Sequence, residues 1–336
     1  MRKVTVVGAG SFGTALATVL AAAGNKVQIW ARELEVVASI NHDHRNPAYL
    51  TDLMLPTSIT AVSKLENNLK SQELILFATP SHTLREITSK IKPCLTGNEL
   101  LVTVSKGIEN NTFKTMSQIL IEVMKGVTNE DKIGVLYGPS HAEEVAKLRP
   151  TTVVAAAYSN ETTRIIQETF HTPMFRVYAN NDIVGVEIGG SVKNIMAIAA
   201  GVIDGAHLGD NAKAALITRG LHEMKRMGTM MGAHHDTFSG LTGMGDLIVT
   251  CTSKHSRNRY VGEQIGKGKK LDSIIKIMNM VAEGIKTTKS VYDWSIKNQV
   301  EMPITKAVYH VLFDNVDPSD ALQQLMSRDP KDEINI

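Results

Sequence analysis

Val4-Thr5-Val6-Val7-Gly8-Ala9-Gly10-Ser11-Phe12-Gly13-Thr14-Ala15-Leu16-Ala17 runs from a β-branched stretch, through spaced glycines, into an Ala/Leu-rich segment. β-Branched residues suit a pleated strand, whereas Ala and Leu favour a helix. The stretch therefore reads as strand, tight turn, helix. Gly8 suits the turn out of the strand, and Gly10 leaves room for a pyrophosphate to lie against the backbone. Gly13 lets the helix approach the sheet with its N-terminal dipole aimed at the phosphates. A bare G-x-G-x-x-G says little; between a strand and a helix it points to dinucleotide binding. An ordinary glycine-rich turn is one alternative. A secretory signal is another, since Arg2-Lys3 precede an apolar run ending Leu20-Ala21-Ala22-Ala23. The glycines inside that run and a second strand soon after it speak against a signal, so the chain reads as beginning inside the fold.

The second strand, Lys26-Val27-Gln28-Ile29-Trp30, ends at Ala31-Arg32. An acidic side chain about here would accept hydrogen bonds from the ribose of NAD, while an arginine suits the 2′-phosphate of NADP. Arg32 stands near that place with Glu33 beside it. The reading favours NADP(H), with NAD(H) also admissible; a solvated charge at a helix start is the plainer alternative for Arg32.

Strand-like runs follow at Leu74–Phe77, Leu100–Val104, Ile133–Leu136, Thr152–Ala155 and Phe175–Tyr178. Helical spacing appears at Leu84–Ile91, Thr112–Val123 and Thr162–Phe170. This alternation predicts an α/β Rossmann-type doubly wound sheet, mostly parallel, over residues 1–180. Beyond Asn180 no convincing strand recurs, and residues 181–336 read as an all-α helical domain. Val192, Ile195, Met196, Ala199, Val202 and Ile203 form one helical face, and Ile217, Leu221, Met224 and Met231 another, with Met227 nearby. Such methionines read as core. Leu271–Val281, Lys286–Lys297 and Ile304–Phe313 are further helices, with Pro303 at a start, and the charged residues from Arg328 onward read as loose.

A length of 336 residues favours two domains, each with its own core. The net charge of +2 and the lack of a charged block give no signature of nucleic-acid binding. Cys94 and Cys251 form neither a metal spacing nor a disulfide framework; they read as buried thiols of a reducing compartment. No apolar run reads as a membrane span, and a soluble, cytoplasmic protein is expected. The histidines His42, His44, His207, His234 and His235 lack the spacing of a closed metal site, so no metal is expected.

Ligands of doubly wound sheets lie beyond the carboxyl ends of strands. Those ends here carry Ala78-Thr79-Pro80-Ser81-His82, Ser105-Lys106-Gly107 and Tyr137-Gly138-Pro139-Ser140-His141-Ala142. Gly189-Gly190 precede the helical stripe and would admit a ligand or another backbone. Lys193-Asn194 stand off that stripe, beside Ala197 and Ala200. A lysine facing a cleft can act as acid or base once burial or a neighbouring cation lowers its pKa; a surface lysine is the alternative. Gly243-Met244-Gly245-Asp246 is a turn that can present a carboxylate to such a lysine. Ser256-Arg257-Asn258, at a possible helix start, offers a hydroxyl, a bidentate fork and an amide suited to a phosphate monoester, or else a solvated basic turn.

Together these residues resemble the NAD(P)-dependent glycerol-3-phosphate dehydrogenases, in particular the bacterial type. The marks fall in order: Gly8–Ala15, Ser105–Glu109, Gly138-Pro139-Ser140, Val192-Lys193-Asn194, Gly209–Ala215 through Thr218-Arg219-Gly220, Gly245-Asp246-Leu247, Ser256–Arg259 and Val281–Gly284. The resemblance implies reversible reduction of dihydroxyacetone phosphate to sn-glycerol 3-phosphate, supplying glycerophospholipid synthesis. It implies Lys193 as general acid/base and Lys106, Gly138, Ser140, Asp246, Ser256, Arg257 and Asn258 around the substrate. Gly8, Gly10, Ser11, Phe12, Gly13, Arg32, Ala142, Val281 and Glu283 match cofactor contacts, with Lys106 and Arg257 touching both ligands. It also implies a homodimer. Two other readings share parts of this pattern: a two-domain 3-hydroxyacid dehydrogenase, and a dinucleotide sensor without turnover, which would need no paired Lys193 and Asp246.

Overall fold

In a computed structural model that describes residues 1–66, 69–278, 281–330 and 332–333, the opening stretch forms β1 (Lys3–Val7) and α1 (Ser11–Ala22). The chain continues with β2 (Lys26–Trp30), α2 (Leu34–Asp43), a short hairpin β3 (Arg45–Asn46) and β4 (Leu50–Met54), and β5 (Ile59–Val62). Next come β6 (Leu74–Phe77), α3 (Leu84–Ile91), β7 (Leu100–Thr103), α4 (Met116–Met124) and β8 (Ile133–Tyr137). The short α5 (Ala142–Ala146), β9 (Thr151–Ala157), α6 (Asn160–Phe170) and β10 (Phe175–Asn180) complete this half.

Eight strands form one sheet in the order β10-β9-β8-β7-β6-β1-β2-β5. All neighbours are parallel except β8 and β9, which run antiparallel. Side chains alternate between two covered faces. Leu74 and Leu76 join Val4, Val6, Leu16 and Leu20 under α1, whereas Ile75 and Phe77 join Leu84, Ile119 and Leu120 under α3 and α4. Both faces are therefore apolar, which explains the unbroken hydrophobic runs of these strands. β5 and the hairpin are additions to the predicted set. Their short, polar-interrupted sequences carry too little periodicity to announce a strand.

Helix α4 begins at Met116 rather than Thr112, because Thr115 caps it in a reciprocal box with Gln118. The run from Leu271 ends as a helix at Ile277, and its remaining positions 279–280 lie outside the described residues, as do 331 and 334–336 in the expected loose tail.

After Asn180 the chain is helical: α7 (Ile183–Gly205), α8 (Asp210–Met230), α9 (Asp246–Thr252), α10 (Arg257–Gly266), α11 (Leu271–Ile277), α12 (Glu283–Lys297), α13 (Pro303–Phe313) and α14 (Pro318–Met326). Periodicity does not announce α14. It is built on a local signal, the Asp317 carboxylate accepting from Ser319 N, with Pro318 in the first helical position. The axis of this half is α7. By length and composition it could cross a membrane, contrary to the expectation of no such run, but 89% of its most apolar window is buried against neighbouring helices. A helix apolar on all sides inside a protein is a core helix.

α10 lies backbone-to-backbone along α7. A Cβ on Gly201 would collide with the Arg259 carbonyl, and one on Gly262 with the Ile198 carbonyl. The two helices thus touch without intervening side chains.

Candidate active site

β1 has β2 on one side and β6 on the other, so chain order reverses there and a crevice opens beyond the strand ends. A cleft of about 570 Å³ occupies it, running from the glycine turn to α7, the start of α10 and the start of α12. Gly8 has φ +117°, and a Cβ there would lie 2.8 Å from the Ala78 carbonyl. A Cβ on Gly13 would run into the Gly8 carbonyl, whereas one on Gly10 would meet nothing within 4 Å. The expected roles of turn, close packing and open approach are thus visible in the backbone. Helix α1 has no side-chain cap, so its first-turn N–H groups face the cleft as an anion site. These features fit the pyrophosphate of a dinucleotide.

Across the cleft, Lys193 of α7 is only 6% exposed. Its Nζ donates to Asp246 Oδ1 at 2.7 Å and to Thr250 Oγ1 at 2.6 Å. Lys106, in the loop after β7, donates to Asp246 Oδ2 at 2.7 Å and to the Gly138 carbonyl at 3.1 Å. One carboxylate therefore bridges two ammonium groups. It reaches them because a wide turn over Leu241–Gly245 presses the Thr242 backbone onto Gly189. Gly189 admits another backbone, and α9 then starts at Asp246 directly over Lys193.

Burial lowers the Lys193 pKa to about 8; Asp246 opposes that shift and Lys106 reinforces it. For Asp246, burial pushes upward, but the two lysines outweigh it and hold the carboxyl below its ordinary value. With both lysines protonated the trio carries one net positive charge, in a site where a developing alkoxide would be stabilised.

Arg257, in the first turn of α10, is exposed, lines the cleft and has no ion-pair partner among the described residues. Its neighbours have structural duties. Ser256 Oγ caps α10 by accepting from Arg259 N at 3.2 Å. Asn258 donates to Asn194 at 2.9 Å and accepts from Gly284 N at 3.0 Å. Both still border the cleft. Ser140 does as well, its hydroxyl turned onto Gly138 O at 3.0 Å. Gly138, Asp246 and Gly13 lie behind the cleft lining, acting through Lys106, through Lys193 and through the turn respectively.

Ser11, Phe12, Arg32, Ala142, Val281 and Glu283 also line the cleft. The Arg32 side chain is 83% exposed and paired with Glu33 at 2.8 Å. Glu283 spans the cleft, accepting from Ser81 N at 2.9 Å and Ser81 Oγ at 2.5 Å.

Two neighbours escaped the sequence reading as site residues. Thr250 is legible in hindsight, four residues after Asp246 and so on the same helix face. His141 has only its place just past a strand end as a signal; it lines the cleft with Nε2 buried and unpartnered, and burial together with Lys193 lowers its pKa. Of the two thiols, Cys251 is buried and pushed up to about 12 by burial. Cys94 is only half-buried, unlike the expectation, because it sits in the single 3-10 turn that follows α3.

A family model described as NAD-dependent glycerol-3-phosphate dehydrogenase N-terminus matches residues 3–163, and one described as its C-terminus matches residues 182–323. A glycerol-3-phosphate dehydrogenase (NAD(P)+) of Salinibacter ruber is 52% identical over 331 residues, covering 98% of this chain and 96% of its own. The Staphylococcus epidermidis counterpart is 49% identical over 333 residues, covering 99% and 100%. The crystal structure of glycerol-3-phosphate dehydrogenase from Coxiella burnetii superposes with a TM-score of 0.92 at 37% identity, covering 97% of this chain and 99% of that one.

Proposed function

The chain belongs to the NAD-dependent glycerol-3-phosphate dehydrogenase family, and from that premise we propose how its residues divide the reaction that membership brings. That reaction is the reversible, NAD(P)H-dependent reduction of dihydroxyacetone phosphate to sn-glycerol 3-phosphate, which feeds glycerophospholipid synthesis. Residues 1–180 hold the dinucleotide, and residues 181–336 supply the catalytic lysine and most of the substrate grip. When bound, the nicotinamide supplies or accepts the hydride.

The proton is the protein's task. Lys193, as an ammonium, donates a proton from Nζ to the carbonyl oxygen of the triose and is left as a neutral amine. Glycerol 3-phosphate oxidation runs the same transfer backwards, with neutral Nζ taking the hydroxyl proton. Asp246 and Thr250 fix the direction of Nζ, since each accepts from it. Lys106 neutralises the second carboxylate oxygen and adds positive charge beside the reacting oxygen. Arg257 grips the phosphate with its unpaired fork at the start of α10, with Ser256, Asn258, Gly138 and Ser140 shaping the pocket around the triose.

The observation that carries this reading is the buried, hydrogen-bonded Lys193 amine opening on the cleft with its pKa brought to about 8. A dinucleotide sensor needs no such group. A 3-hydroxyacid dehydrogenase has no need of a phosphate fork at Arg257. For the cofactor, position 32 offers a guanidinium at the cleft edge, which supports NADP(H) as preferred and NAD(H) as also used. The two free thiols support a reducing, cytoplasmic setting, and the family resemblance supports a homodimer.

The test is a cofactor-by-substrate activity matrix on the purified protein. NADPH absorbance is expected to fall with dihydroxyacetone phosphate and to stay flat with unphosphorylated dihydroxyacetone. Equal rates with both would remove the phosphate grip from Arg257.

A further inference from the structure

On the far side of α7 from the cleft, α7, α8, α13 and α14 enclose a second cavity of about 320 Å³. Its wall is apolar, with Ile198, Val202, Leu216, Val308, Leu322 and Leu325 among the lining side chains. Its rim carries three guanidinium groups, of Arg219, Arg226 and Arg328, together with His222 and Glu301. Arg226 donates to the Glu301 carbonyl, and Arg328 pairs with the Glu301 carboxylate. Arg219 is half-buried and has no ion pair or hydrogen bond among the described residues. The carboxylate in the wall, Glu223, does not serve it. Glu223 accepts instead from Ile304 N, Thr305 N and Thr305 Oγ1, the free first turn of α13.

A guanidinium held half out of water beside an apolar cavity is costly without an anion. A ligand that filled the cavity alone would leave that charge unpaired, and one that met the charge alone would leave the cavity unused. A single chemistry satisfies both. We propose that this cavity binds an anionic amphiphile, an acyl or alkyl chain whose carboxylate or phosphate head pairs with Arg219 while the tail lies between α8 and α13. The site is separate from the catalytic cleft and uses none of its residues. It gives a task to Arg219, which the dehydrogenase reaction leaves without one.

The test titrates the full-length protein by calorimetry with decanoate, decyl phosphate, decanol and inorganic phosphate, each below its micellar concentration. Decanoate or decyl phosphate is expected to bind, and the tighter of the two identifies the head group. Decanol binds weakly and inorganic phosphate does not bind. Shortening the tail by one methylene weakens binding about fourfold, the scale of one buried CH₂. Arg219→Gln weakens the anionic ligands about tenfold or more and leaves decanol unchanged. Ala307→Phe, which fills the cavity from α13, abolishes binding of all three chains, and both variants retain wild-type turnover. Should Ala307→Phe fail to fold, Arg219→Gln decides alone. Equal decanoate affinity in wild type and Arg219→Gln, or no binding of either anionic chain to the wild type, overturns the proposal.

Discussion

Replacing Lys106 with Met removes one of the two ammonium groups that share the Asp246 carboxylate and leaves Lys193 as its sole cationic partner. Two cations on opposite oxygens of one carboxylate lie on the order of 5 Å apart, where an effective dielectric of about 20 gives roughly 3 kcal/mol of repulsion. At about 1.4 kcal/mol per pKa unit that is about two units, and water entering the cleft reduces it to about one. The Lys193 pKa, about 8 in the wild type, therefore rises in the variant.

The sign follows from the chemistry. With Lys193 in the role proposed above, reduction needs the ammonium, so its kcat is flat below the pKa and falls above it. Oxidation needs the free amine and behaves oppositely. In Lys106→Met the alkaline limb of reduction moves up by about one unit, and at pH 8 oxidation slows about fivefold through loss of free amine alone. Full pH profiles of kcat in both directions are the assay, because KM also rises if Lys106 touches the substrate. A midpoint unmoved or shifted downward would refute the part assigned to Lys106, which reinforces the lowering of the Lys193 pKa by burial.

Lys193→Ala is expected to cost about a hundredfold or more in turnover, the usual scale for losing a general acid. NADPH affinity by fluorescence should be retained; wild-type turnover would take Lys193 out of the mechanism. Arg32→Ala should weaken NADPH more than NADH in the same titration, and an equal effect on both makes Arg32 a bystander. Glu223, pushed up to about 7 by burial, lies above its unfolded value of about 4.3. Its contribution to stability is thus complete below about pH 4 and lost as pH rises through 7, a change on the order of 3 kcal/mol. Melting temperature should fall across that window in the wild type and fall less in Glu223→Gln; parallel slopes would contradict the assignment.

The opening glycines and the doubly wound alternation were legible because each rests on local physics: a residue that must turn, a side chain that must face a core. The same holds for Lys193, flagged by small neighbours on its own helix. Residue types made Asp246 a candidate partner of Lys193, but the sequence could not display that one carboxylate would bridge two lysines. Asp246 reaches Lys193 from 53 positions away and Lys106 from 140, and no periodicity encodes such a contact. Ser256 and Asn258 illustrate the converse. Their residue types suit a phosphate, yet the fold also spends them on a helix cap and an inter-helix amide bridge, duties that appear only once α10 is set against α7. The hairpin at 45–54 was missed because one of its strands is only two residues long, and helix α14 because its apolar residues, Ala321 to Met326, span fewer than two turns.

The glycine seam between α7 and α10 has a bearing on selectivity. The proposed proton donor, Lys193, rides on one of these helices and the proposed phosphate fork, Arg257, on the other, and main chain meets main chain between them. No side-chain repacking at that seam can change the spacing of the two helix backbones. The pair is a rigid base, set once by folding, and only the reach of the exposed Arg257 side chain is left to adapt to a phosphorylated ketone one carbon longer.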